Sequence, residues 1–349
     1  MSRGHAWVLG ATGQIGRAAV RSLVEDGWTV TAASRGGGRD DRWDDGVRTV
    51  ALDRDEEGAL AAALGDGCDV LVDMVAYGGQ HARQLTDLAD RIGSAVVVSS
   101  GAVYADEHGR SFDTQSEPDG SPRYPVPIPE SQPTVEPGDS TYGTRKIQLE
   151  RDLLAAGEAL PVTLLRAGAV HGPYCRSPRE LYFVKRALDG RARRVLAYGG
   201  TSRFHPLHSS NAAELIRLAA LRPGSRVLNA ADPQAPTVAE IGEAVDAVLG
   251  RETETVLIAG AAPPEGVGLS PWGAPHPIVY DLTAAEQELG YRPVTGYAES
   301  LPETVEWITA QLAGRDWTDA YPAMARSYGT GLFDYAAEDA WLERYDRTG

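Results

Sequence analysis

Hydrophobic residues in the first 100 positions follow two alternating periodicities. Short runs rich in valine predict strands, and between them apolar residues recur at helical spacing, as Ala18, Val20, Leu23 and Val24 do. The predicted strands are HAWVLG, WTVTAAS, VRTVALD, GCDVLVDMVA and SAVVVSS, and the predicted helices are GRAAVRSLVEDG, EEGALAAALG and HARQLTDLADRIG. Strands separated by helices of this length indicate βαβ units, so we predict a parallel sheet with helices on both faces.

The alternation stops between Ala105 and Thr141. This stretch holds prolines together with several Asp, Ser and Gly residues, which interrupt both helices and strands; the prolines are residues 118, 122, 125, 127, 129, 133 and 137. We therefore predict a long loop with little regular structure. A loop of this length in a compact domain is either disordered or functional, and because it leads directly into Tyr142 we favour a functional loop.

The remainder of the chain returns to predicted helices and strands. YGTRKIQLERDLLAAG, residues 237–249, residues 283–289 and ESLPETVEWITAQL are predicted helices, and PVTLLRAGAVHGP and RVLNAAD are predicted strands. The tail from Arg315 to Gly349 is rich in aromatic residues, which predicts a segment packed onto the body of the protein rather than a loose one.

Composition narrows the class of protein. With 42% hydrophobic and 23% charged residues among 349, the chain is an ordinary soluble globular protein. Its net charge of −16 disfavours nucleic acid or an anionic membrane as a main partner. Two cysteines, Cys68 and Cys175, argue against a disulfide framework and are too few for a zinc site. No signal-peptide pattern and no bilayer-length apolar run occurs, so we expect a cytoplasmic protein.

The sequence VLGATGQIGRA places three glycines, Gly10, Gly13 and Gly16, between the first strand and the first helix. Glycines in this position allow a tight turn and let the backbone approach a pyrophosphate at the positive end of the helix. The strand-turn-helix context therefore predicts dinucleotide binding rather than a purely structural turn. The predicted contacts in the turn are Gly10, Thr12, Gly13, Gln14, Ile15 and Gly16.

The end of the second strand bears on the choice of nicotinamide cofactor. An acidic residue there binds the ribose hydroxyls of NAD, whereas a basic residue accommodates the 2′-phosphate of NADP. The chain has Ser34 and Arg35 at this point, with no carboxylate before Asp40. We therefore predict NADP(H), with Arg35 as the main phosphate partner and Arg39 as a weaker one. The alternative is NAD(H), in which case Arg35 is simply an exposed arginine.

Two further segments carry candidate catalytic groups. The strand VVVSSGAVY ends in Ser99 and Ser100, and the carboxyl ends of parallel strands are where such sheets bind ligands. Tyr142 and Lys146 are four residues apart, so a helix places them on one face. Each feature alone is typical of a helix cap or a solvated surface. Together they predict a set of residues for proton transfer.

These motifs occur in the order found in the extended short-chain dehydrogenase/reductase superfamily, the NAD-dependent epimerase/dehydratase type, which the chain resembles over about residues 5 to 310. The motifs are the glycine turn, SSGAVY at 99–104, YGTRK at 142–146 and LRAGAVHGP at 165–173. The resemblance implies a Rossmann-type doubly wound parallel sheet with a smaller C-terminal substrate-binding lobe. We expect the cofactor domain to span 1–170 with 205–232 returning to it, and the lobe to comprise 171–204 and 233–349.

The resemblance also implies roles for individual residues. Tyr142 would exchange a proton with the substrate oxygen, with its pKa lowered by Lys146 and by an oxidised nicotinamide. Lys146 would also bind the nicotinamide ribose, and Ser100 would hold the substrate oxygen. The remaining implied contacts are Asp53 near the adenine, Ala76 lining the cofactor, Val170 and His171 flanking the nicotinamide, and Arg203 on a substrate phosphate. A homodimer through helices near 80–92 and 142–156 is expected as well.

Departures from the family restrict the expected chemistry. The 4,6-dehydratases carry an Asp-Glu pair where this chain has Gly101 and Ala102, so elimination of water is disfavoured. Ala169 replaces an asparagine common in epimerases, and the usual aspartate near Ser210 and Asn211 is missing. The connection from Ser100 to Tyr142 is longer than is usual, with the surplus near 106–124.

We therefore predict an NADP(H)-dependent oxidoreductase acting on a ketone or alcohol of a small, sugar-like or specialised-metabolite substrate. A nucleotide-sugar epimerase with tightly bound NAD(P) is the alternative within the class, and a non-catalytic NADP-sensing protein is the alternative outside it.

Three other signals are weaker. His205 and His208 have metal-like spacing but no acidic or cysteine partner in sequence, so we predict no metal site. The basic run 185–194 could face either an anionic substrate or solvent. Cys175 lies in no pattern typical of a nucleophile.

Overall fold

Two compact units form the protein in the computed structural model, which describes residues 3–348. The first unit comprises the chain up to Gly168 together with Leu207–Ala231 and Tyr280–Val294, and the second comprises Ala169–Pro206, Asp232–Val279 and the chain from Thr295 onward. The predicted division gave all of 233–349 to the second lobe. The structure differs because 280–294 packs with the first unit.

The first unit is built on a seven-stranded parallel sheet with the order β10-β6-β5-β4-β1-β2-β3. Its strands are β1 (His5–Leu9), β2 (Thr29–Ser34), β3 (Arg48–Ala51), β4 (Val70–Asp73), β5 (Ala95–Ser100), β6 (Val162–Ala167) and β10 (Arg226–Ala230). The central strands are almost wholly buried because helices cover both faces of the sheet. The predicted doubly wound α/β fold is confirmed.

Helices flank this sheet at positions close to those predicted. They are α1 (Gln14–Glu25), α2 (Ala59–Leu64), α3 (Gly79–Thr86), α4 (Tyr142–Ala155), α6 (Ser209–Leu221) and α8 (Thr283–Leu289), in numbering that follows the whole chain. Helix α1 packs against α6, and α3 packs against α4. Trp7, Leu71, Leu149 and Leu153 are fully buried in the core between sheet and helices. This core fixes the carboxyl ends of β1, β2, β4 and β5, where the predicted site residues lie.

The second unit has an aromatic core. Its helices are α5 (Leu181–Leu188), α7 (Val238–Leu249), α9 (Tyr297–Leu312), α10 (Trp317–Ala320), α11 (Pro322–Tyr328) and α12 (Tyr335–Thr348), and its strands are β7 (Ala169–His171), β8 (Arg193–Leu196) and β11 (Glu254–Leu257). Strand β9 (Pro206–His208) leads back into the first unit. Trp272, Tyr297, Trp317 and Tyr321 are buried in this core. The aromatic tail is therefore packed, as predicted.

The basic run 185–194 pairs with the C-terminal helix. Arg186 Nη2 lies 2.8 Å from Glu338 Oε2, and Arg193 Nη1 lies 2.8 Å from Asp346 Oδ2. Arg191 Nη2 lies 3.1 Å from Glu338 Oε1. These contacts show that the arginines hold α12 in place, which answers the question of whether the run faces a substrate or solvent. Among the described residues, no helix is both long enough and apolar enough to cross a bilayer.

Candidate active site and glycine turn

The strand β5 and the helix α4 bring together Ser100, Tyr142 and Lys146. Ser100 is the last residue of β5, and Tyr142 is the first residue of α4. The Thr141 side chain caps this helix by accepting a hydrogen bond from the Thr144 amide at 3.2 Å. Any side chain at position 143 would meet the Ala102 carbonyl oxygen 2.7 Å from its Cβ, so Gly143 allows α4 to lie this close to the segment after β5.

Tyr142 lies at an open edge of the first unit. The residue is 41% exposed, and its ring centroid lies 5.5 Å from that of Tyr77, which is also exposed. Although much of the ring is accessible, burial around the hydroxyl raises the pKa of Tyr142, a hydrogen bond with Ser100 opposes the rise, and Tyr77 adds to it. The lowering of the Tyr142 pKa by Lys146 and an oxidised nicotinamide stays a prediction for the complex with cofactor.

Lys146 is buried beneath Tyr142. Its Nζ donates hydrogen bonds to the carbonyl oxygens of Ala76 at 2.6 Å and Val98 at 2.9 Å, and lies 5.8 Å from the centroid of the Tyr142 ring. Burial lowers the pKa of Lys146 to about 8, although Asp73 acts to raise it. An ammonium has three donors. The described residues use two of these, so one N–H is available to a ligand.

A buried ion pair on the same helix was not predicted from the sequence. Glu150 follows Lys146 by one helical turn, and its carboxylate binds Arg166 of β6, with Nη2 to Oε2 at 2.7 Å. Ser99 donates its hydroxyl hydrogen bond to Glu150 Oε1. All three side chains are at most 5% exposed. The only signal in the sequence was that Glu150 lies one helical turn after Lys146. The sequence does not indicate that Arg166 is its partner.

The network continues from Arg166 to the long loop. The guanidinium of Arg166 stacks on the Tyr104 ring at 4.8 Å and donates to the Glu130 carbonyl oxygen at 3.0 Å. The Tyr104 hydroxyl donates to Asn229 Oδ1 at 2.6 Å. These bonds tie α4, β6, β10 and the loop to one another, so the network fixes the surroundings of Ser100 and Tyr142.

A second buried ion pair lies beside the turn whose carbonyl oxygen accepts a hydrogen bond from Lys146. Asp73, the last residue of β4, forms an ion pair with Arg54, and its other oxygen accepts from the Val75 amide at 2.9 Å. Arg54 also donates to Gln84 Oε1 at 3.0 Å. Asp73 is fully buried. This pair therefore orders the turn that carries Ala76, a predicted cofactor residue whose carbonyl faces Lys146.

The glycine turn is tight and leads directly into helix α1. Gly10 has a φ of +81°, which favours glycine, and the Gly13 amide donates to the Gly10 carbonyl oxygen at 2.9 Å. Helix α1 begins directly after Gly13, without an acidic side chain in its first turn. The space at the helix N-terminus therefore suits an anion. Thr12, Gln14 and Ile15 are half-buried in this turn.

Gly16→Ala is expected to lower the melting temperature by several degrees. A Cβ at position 16 would lie 2.3 Å from the Gly10 carbonyl oxygen and 2.8 Å from Ala11 Cα, so α1 would have to move away from the turn. Overpacking of this kind costs about 1–3 kcal/mol. Thermal unfolding followed by circular dichroism measures it. Gly36→Ala is the matched control, because nothing lies within 4 Å of its Cβ position; equal shifts for both variants would contradict the close approach.

The end of β2 offers two unused polar groups. The buried Ser34 Oγ has no hydrogen-bond partner among residues 3–348. Arg35 is exposed, and within the same range its side chain forms no ion pair. Arg35 is therefore accessible to a phosphate, whereas the Ser34 hydroxyl is unpartnered but covered. Asp40, by contrast, is buried and lies 2.6 Å from Arg17 Nη1.

Arg39, the weaker predicted phosphate partner, binds its own loop in the structure. Its guanidinium donates to the carbonyl oxygens of Val47 at 2.8 Å and Asp44 at 2.5 Å. These bonds close the loop that follows β2, so the charge of Arg39 is directed to its own loop. Asp53, the predicted adenine contact, is half-buried after β3 and accepts from the Asp55 amide at 3.1 Å.

The other predicted site residues belong to the second unit. His171 is 1% exposed, and its Nε2 lies 2.7 Å from Asp232 Oδ2, so its imidazole offers almost no surface to a nicotinamide. The imidazole therefore has an internal packing role, and the position of His171 beside the nicotinamide stays a prediction. Val170 beside it is half-buried. Arg203 is half-buried and donates through Nη1 to the Ala235 carbonyl oxygen at 2.7 Å.

The weaker signals have structural explanations. His205 Nε2 lies 2.8 Å from the Asp232 carbonyl oxygen, and burial lowers the pKa of His205 to about 4. His208 caps α6 by accepting from the Ser210 amide. No group of three or more His, Cys, Asp or Glu side chains within the described part of the chain could hold a metal ion. Burial raises the pKa of Cys175 to about 12, which makes it a poor nucleophile at neutral pH.

Comparison with known proteins places this geometry in a family. The profile of the NAD dependent epimerase/dehydratase family matches residues 6–231. UDP-N-acetylglucosamine 4-epimerase from Methanobrevibacter ruminantium M1, solved with UDP-N-acetylmuramic acid, has a TM-score of 0.67 and 20% identity, over 89% of this chain and 100% of that one. UDP-glucose 4-epimerase from Thermotoga maritima, solved with UDP-glucose, has a TM-score of 0.66 and 18% identity, over 88% and 99%.

A dehydratase also shares the fold. dTDP-glucose 4,6-dehydratase from Bacillus anthracis, in complex with NAD, has a TM-score of 0.64 and 18% identity, over 92% of this chain and 99% of that one. A sequence search of curated proteins gives no match. At these identities the solved structures show a common fold, while the profile covers well over half of the chain. The protein therefore belongs to the NAD-dependent epimerase/dehydratase family and is a nicotinamide-dependent enzyme.

Proposed function

We propose that this enzyme is an NADP(H)-dependent oxidoreductase that interconverts a ketone and an alcohol on a sugar-like or specialised-metabolite substrate. The observation that carries the proposal is the convergence of Ser100, Tyr142 and Lys146 at the carboxyl end of β5, with Tyr142 accessible and Lys146 buried below it. Ligands bind at this edge of parallel sheets.

Each of the three residues has a distinct task. Tyr142 gives a proton to the substrate oxygen or takes one from it, and Ser100 hydrogen-bonds the same oxygen. Lys146 directs its remaining N–H to the cofactor ribose and supplies positive charge beneath the phenol. When bound, the nicotinamide supplies or accepts hydride at the substrate carbon. Because burial raises the pKa of Tyr142, the phenol is protonated at neutral pH, which suits the reduction of a ketone.

The residues that would hold the cofactor lie along one edge of the sheet. The N-terminus of α1 would receive the pyrophosphate, and Ser34 and Arg35 would bind the ribose and its 2′-phosphate. Asp53 would lie near the adenine, and Ala76 would line the nicotinamide half. The turn contacts would be Gly10, Thr12, Gly13, Gln14, Ile15 and Gly16. In the second unit, Arg203 would bind an anionic group of the substrate, since a guanidinium has five donors and one is used internally.

Elimination of water is disfavoured on steric grounds as well as by residue type. A Cβ at position 101 would lie 2.0 Å from the Tyr280 hydroxyl, so the space for an aspartate is already filled. Tyr280 is 3% exposed, and its ring lies 6.1 Å from that of Tyr104. Together with Ala102, this leaves no acidic pair beside Ser100, so we favour net redox chemistry over dehydration.

Arg35→Ala is expected to weaken NADPH binding by about 10- to 100-fold, the usual effect of losing a charged hydrogen bond, and to leave NADH binding nearly unchanged. Fluorescence titration of both reduced cofactors measures the two dissociation constants. The matched control is Arg39→Ala, which should affect both cofactors alike because Arg39 binds its own loop. An equal loss for NADPH and NADH in Arg35→Ala would contradict the NADP assignment.

A sugar epimerase is the second candidate, because the solved epimerases named above share the fold over nearly their whole length. Release of nucleotide from protein purified without added cofactor distinguishes the two. Stoichiometric, non-exchanging NAD or NADP would indicate an epimerase, which oxidises and re-reduces the same substrate carbon while its cofactor stays bound. Protein free of nucleotide that then binds NADPH reversibly and consumes it with keto-sugars would support the oxidoreductase. NADPH binding without turnover of any candidate would favour a sensing role.

A further inference from the structure

The segment 106–124, called the insertion below, is closed at its base by one carboxylate. Asp106 accepts hydrogen bonds from the amides of His108 at 2.9 Å and Arg123 at 2.9 Å, and from Arg110 Nε at 2.7 Å. Burial alone would raise the pKa of Asp106, but these bonds lower it to about 2. Asp106 is thus ionised at neutral pH, and it joins the two ends of the insertion.

The interior of the insertion is folded back on itself. The residues Phe112–Thr114 form a short 3-10 turn that Ser111 caps. The Thr114 hydroxyl donates to the Gly120 carbonyl oxygen at 2.6 Å, and a Cβ at position 120 would lie 1.9 Å from the Thr114 carbonyl oxygen. The predicted long loop therefore has a defined shape here, and Asp113 has a defined place in it.

Asp113 lies against the start of α4. Its Oδ2 accepts a hydrogen bond from the Thr141 hydroxyl at 2.6 Å, and a Cβ on Gly143 would lie 3.1 Å from the same oxygen. Thr141 is the N-cap of the helix. The first turn of a helix has amide groups without intrahelical acceptors and a positive dipole end. A carboxylate in contact with the cap therefore stabilises the closed form of this turn.

This turn carries Tyr142, whereas Lys146 is held independently. Lys146 is anchored to the carbonyl oxygens of Ala76 and Val98 one turn further on. Tyr142 is the first residue of α4 and is 41% exposed. Helix ends fray more readily than helix interiors. The time that the phenol spends near Ser100 therefore depends on how firmly the first turn is closed.

We propose that the insertion positions Tyr142, with Asp113 as the positioning residue that acts through Thr141. This inference rests on the proposed role of Tyr142 in proton transfer. The insertion thus has a task in the reaction without contacting the substrate: it holds the start of the helix from which the phenol projects.

Hydrogen exchange on the whole protein tests the structural part without a substrate. In Asp113→Ala, the amides of Thr144 and Arg145 should exchange about three- to tenfold faster, the effect of one lost hydrogen bond, while those of Ile147 to Leu153 stay unchanged. In a double-mutant cycle with Thr141→Val, the amides of Thr144 and Arg145 should exchange no faster in the double variant than in Thr141→Val alone. Unchanged exchange in Asp113→Ala, or fully additive effects, would overturn the proposal.

Turnover tests the functional part. Asp113→Ala should lower kcat about three- to tenfold with unchanged KM and cofactor affinity, and Asp113→Asn, which keeps an acceptor oxygen, should restore part of it. Glu117→Ala removes an exposed carboxylate from the same insertion and should match the wild type. Faster exchange with unchanged kcat would overturn the positioning role. If Tyr142→Phe were fully active, the proposed function would fail, and the exchange cycle would still decide whether Asp113 holds the turn.

Discussion

Tyr142→Phe is expected to lower kcat by about 10²- to 10⁴-fold, the usual contribution of a positioned acid or base, while NADPH binding stays unchanged. Phenylalanine preserves the ring contact with Tyr77 at 5.5 Å and the start of α4, but it has no proton to give to the substrate oxygen. The chemical step is slowed, and the glycine turn is not disturbed. Steady-state turnover of a ketone that the wild type reduces measures the change, with the NADPH dissociation constant determined on the same preparation.

The neighbouring phenol provides the matched control. Tyr77→Phe removes a hydroxyl from the ring that contacts Tyr142 and leaves Ser100 and Lys146 in place, so kcat should stay within about threefold of the wild type. Similar losses in both variants would indicate a general effect on the aromatic pair rather than proton transfer by Tyr142. Retention of more than about a tenth of the wild-type kcat in Tyr142→Phe would rule out its role as the acid.

Glu150→Ala is expected to lower the free energy of unfolding by about 3–5 kcal/mol, the effect of breaking a buried ion pair. The variant leaves the Arg166 guanidinium buried without its carboxylate and deprives Ser99 of its acceptor. Both groups are at most 5% exposed, so water cannot easily replace the lost partner. Urea unfolding followed by fluorescence and by circular dichroism measures the change, provided that the two transitions coincide.

Two further variants separate the buried pair from surface charge effects. Glu150→Leu combined with Arg166→Met fills the same space without charge and should recover most of the lost stability. Arg151→Ala removes an exposed pair on the same helix, 3.7 Å from Glu136, and should change stability by less than about 1 kcal/mol. A loss in Glu150→Ala no larger than that in Arg151→Ala would show that the buried pair does not stabilise the fold.

The elements that the sequence predicted well are those that depend on local pattern. Strand β5 is built on the valine run 96–98 and continues through Ser99 to Ser100, and the four-residue spacing of Tyr142 and Lys146 fixes their common helix face. The glycine turn was also predicted from local sequence, since the third glycine of the motif, Gly16, indicates a close approach of helix and strand. The parallel sheet itself follows from the alternation of strands and helices.

The choice of partner by a charged residue could not be predicted. Arg35 and Arg39 lie four residues apart in the same glycine-rich loop. Arg39 nevertheless binds the carbonyl oxygens of that loop, whereas Arg35 stays exposed. Three arginines of 185–194, Arg186, Arg191 and Arg193, pair with a helix about 150 residues later in the chain. The pKa of Tyr142 in the protein alone depends on tertiary structure in the same way, because burial of the phenol raises it and the neighbours of the phenol come from other segments of the chain.

The order in which the sheet strands occur along the chain matters for synthesis. Strand β6 is buried along its whole length, and its outer neighbour β10 follows after the chain has passed through the second unit. A nascent chain that has released β6 but not yet β10 therefore carries an unpaired apolar edge, which favours association with other chains. A shortened protein that keeps the glycine turn and α4 but ends before β10 would have this edge permanently. The first unit is therefore not separable by truncation, although the glycine turn, Ser100, Tyr142 and Lys146 all precede β10.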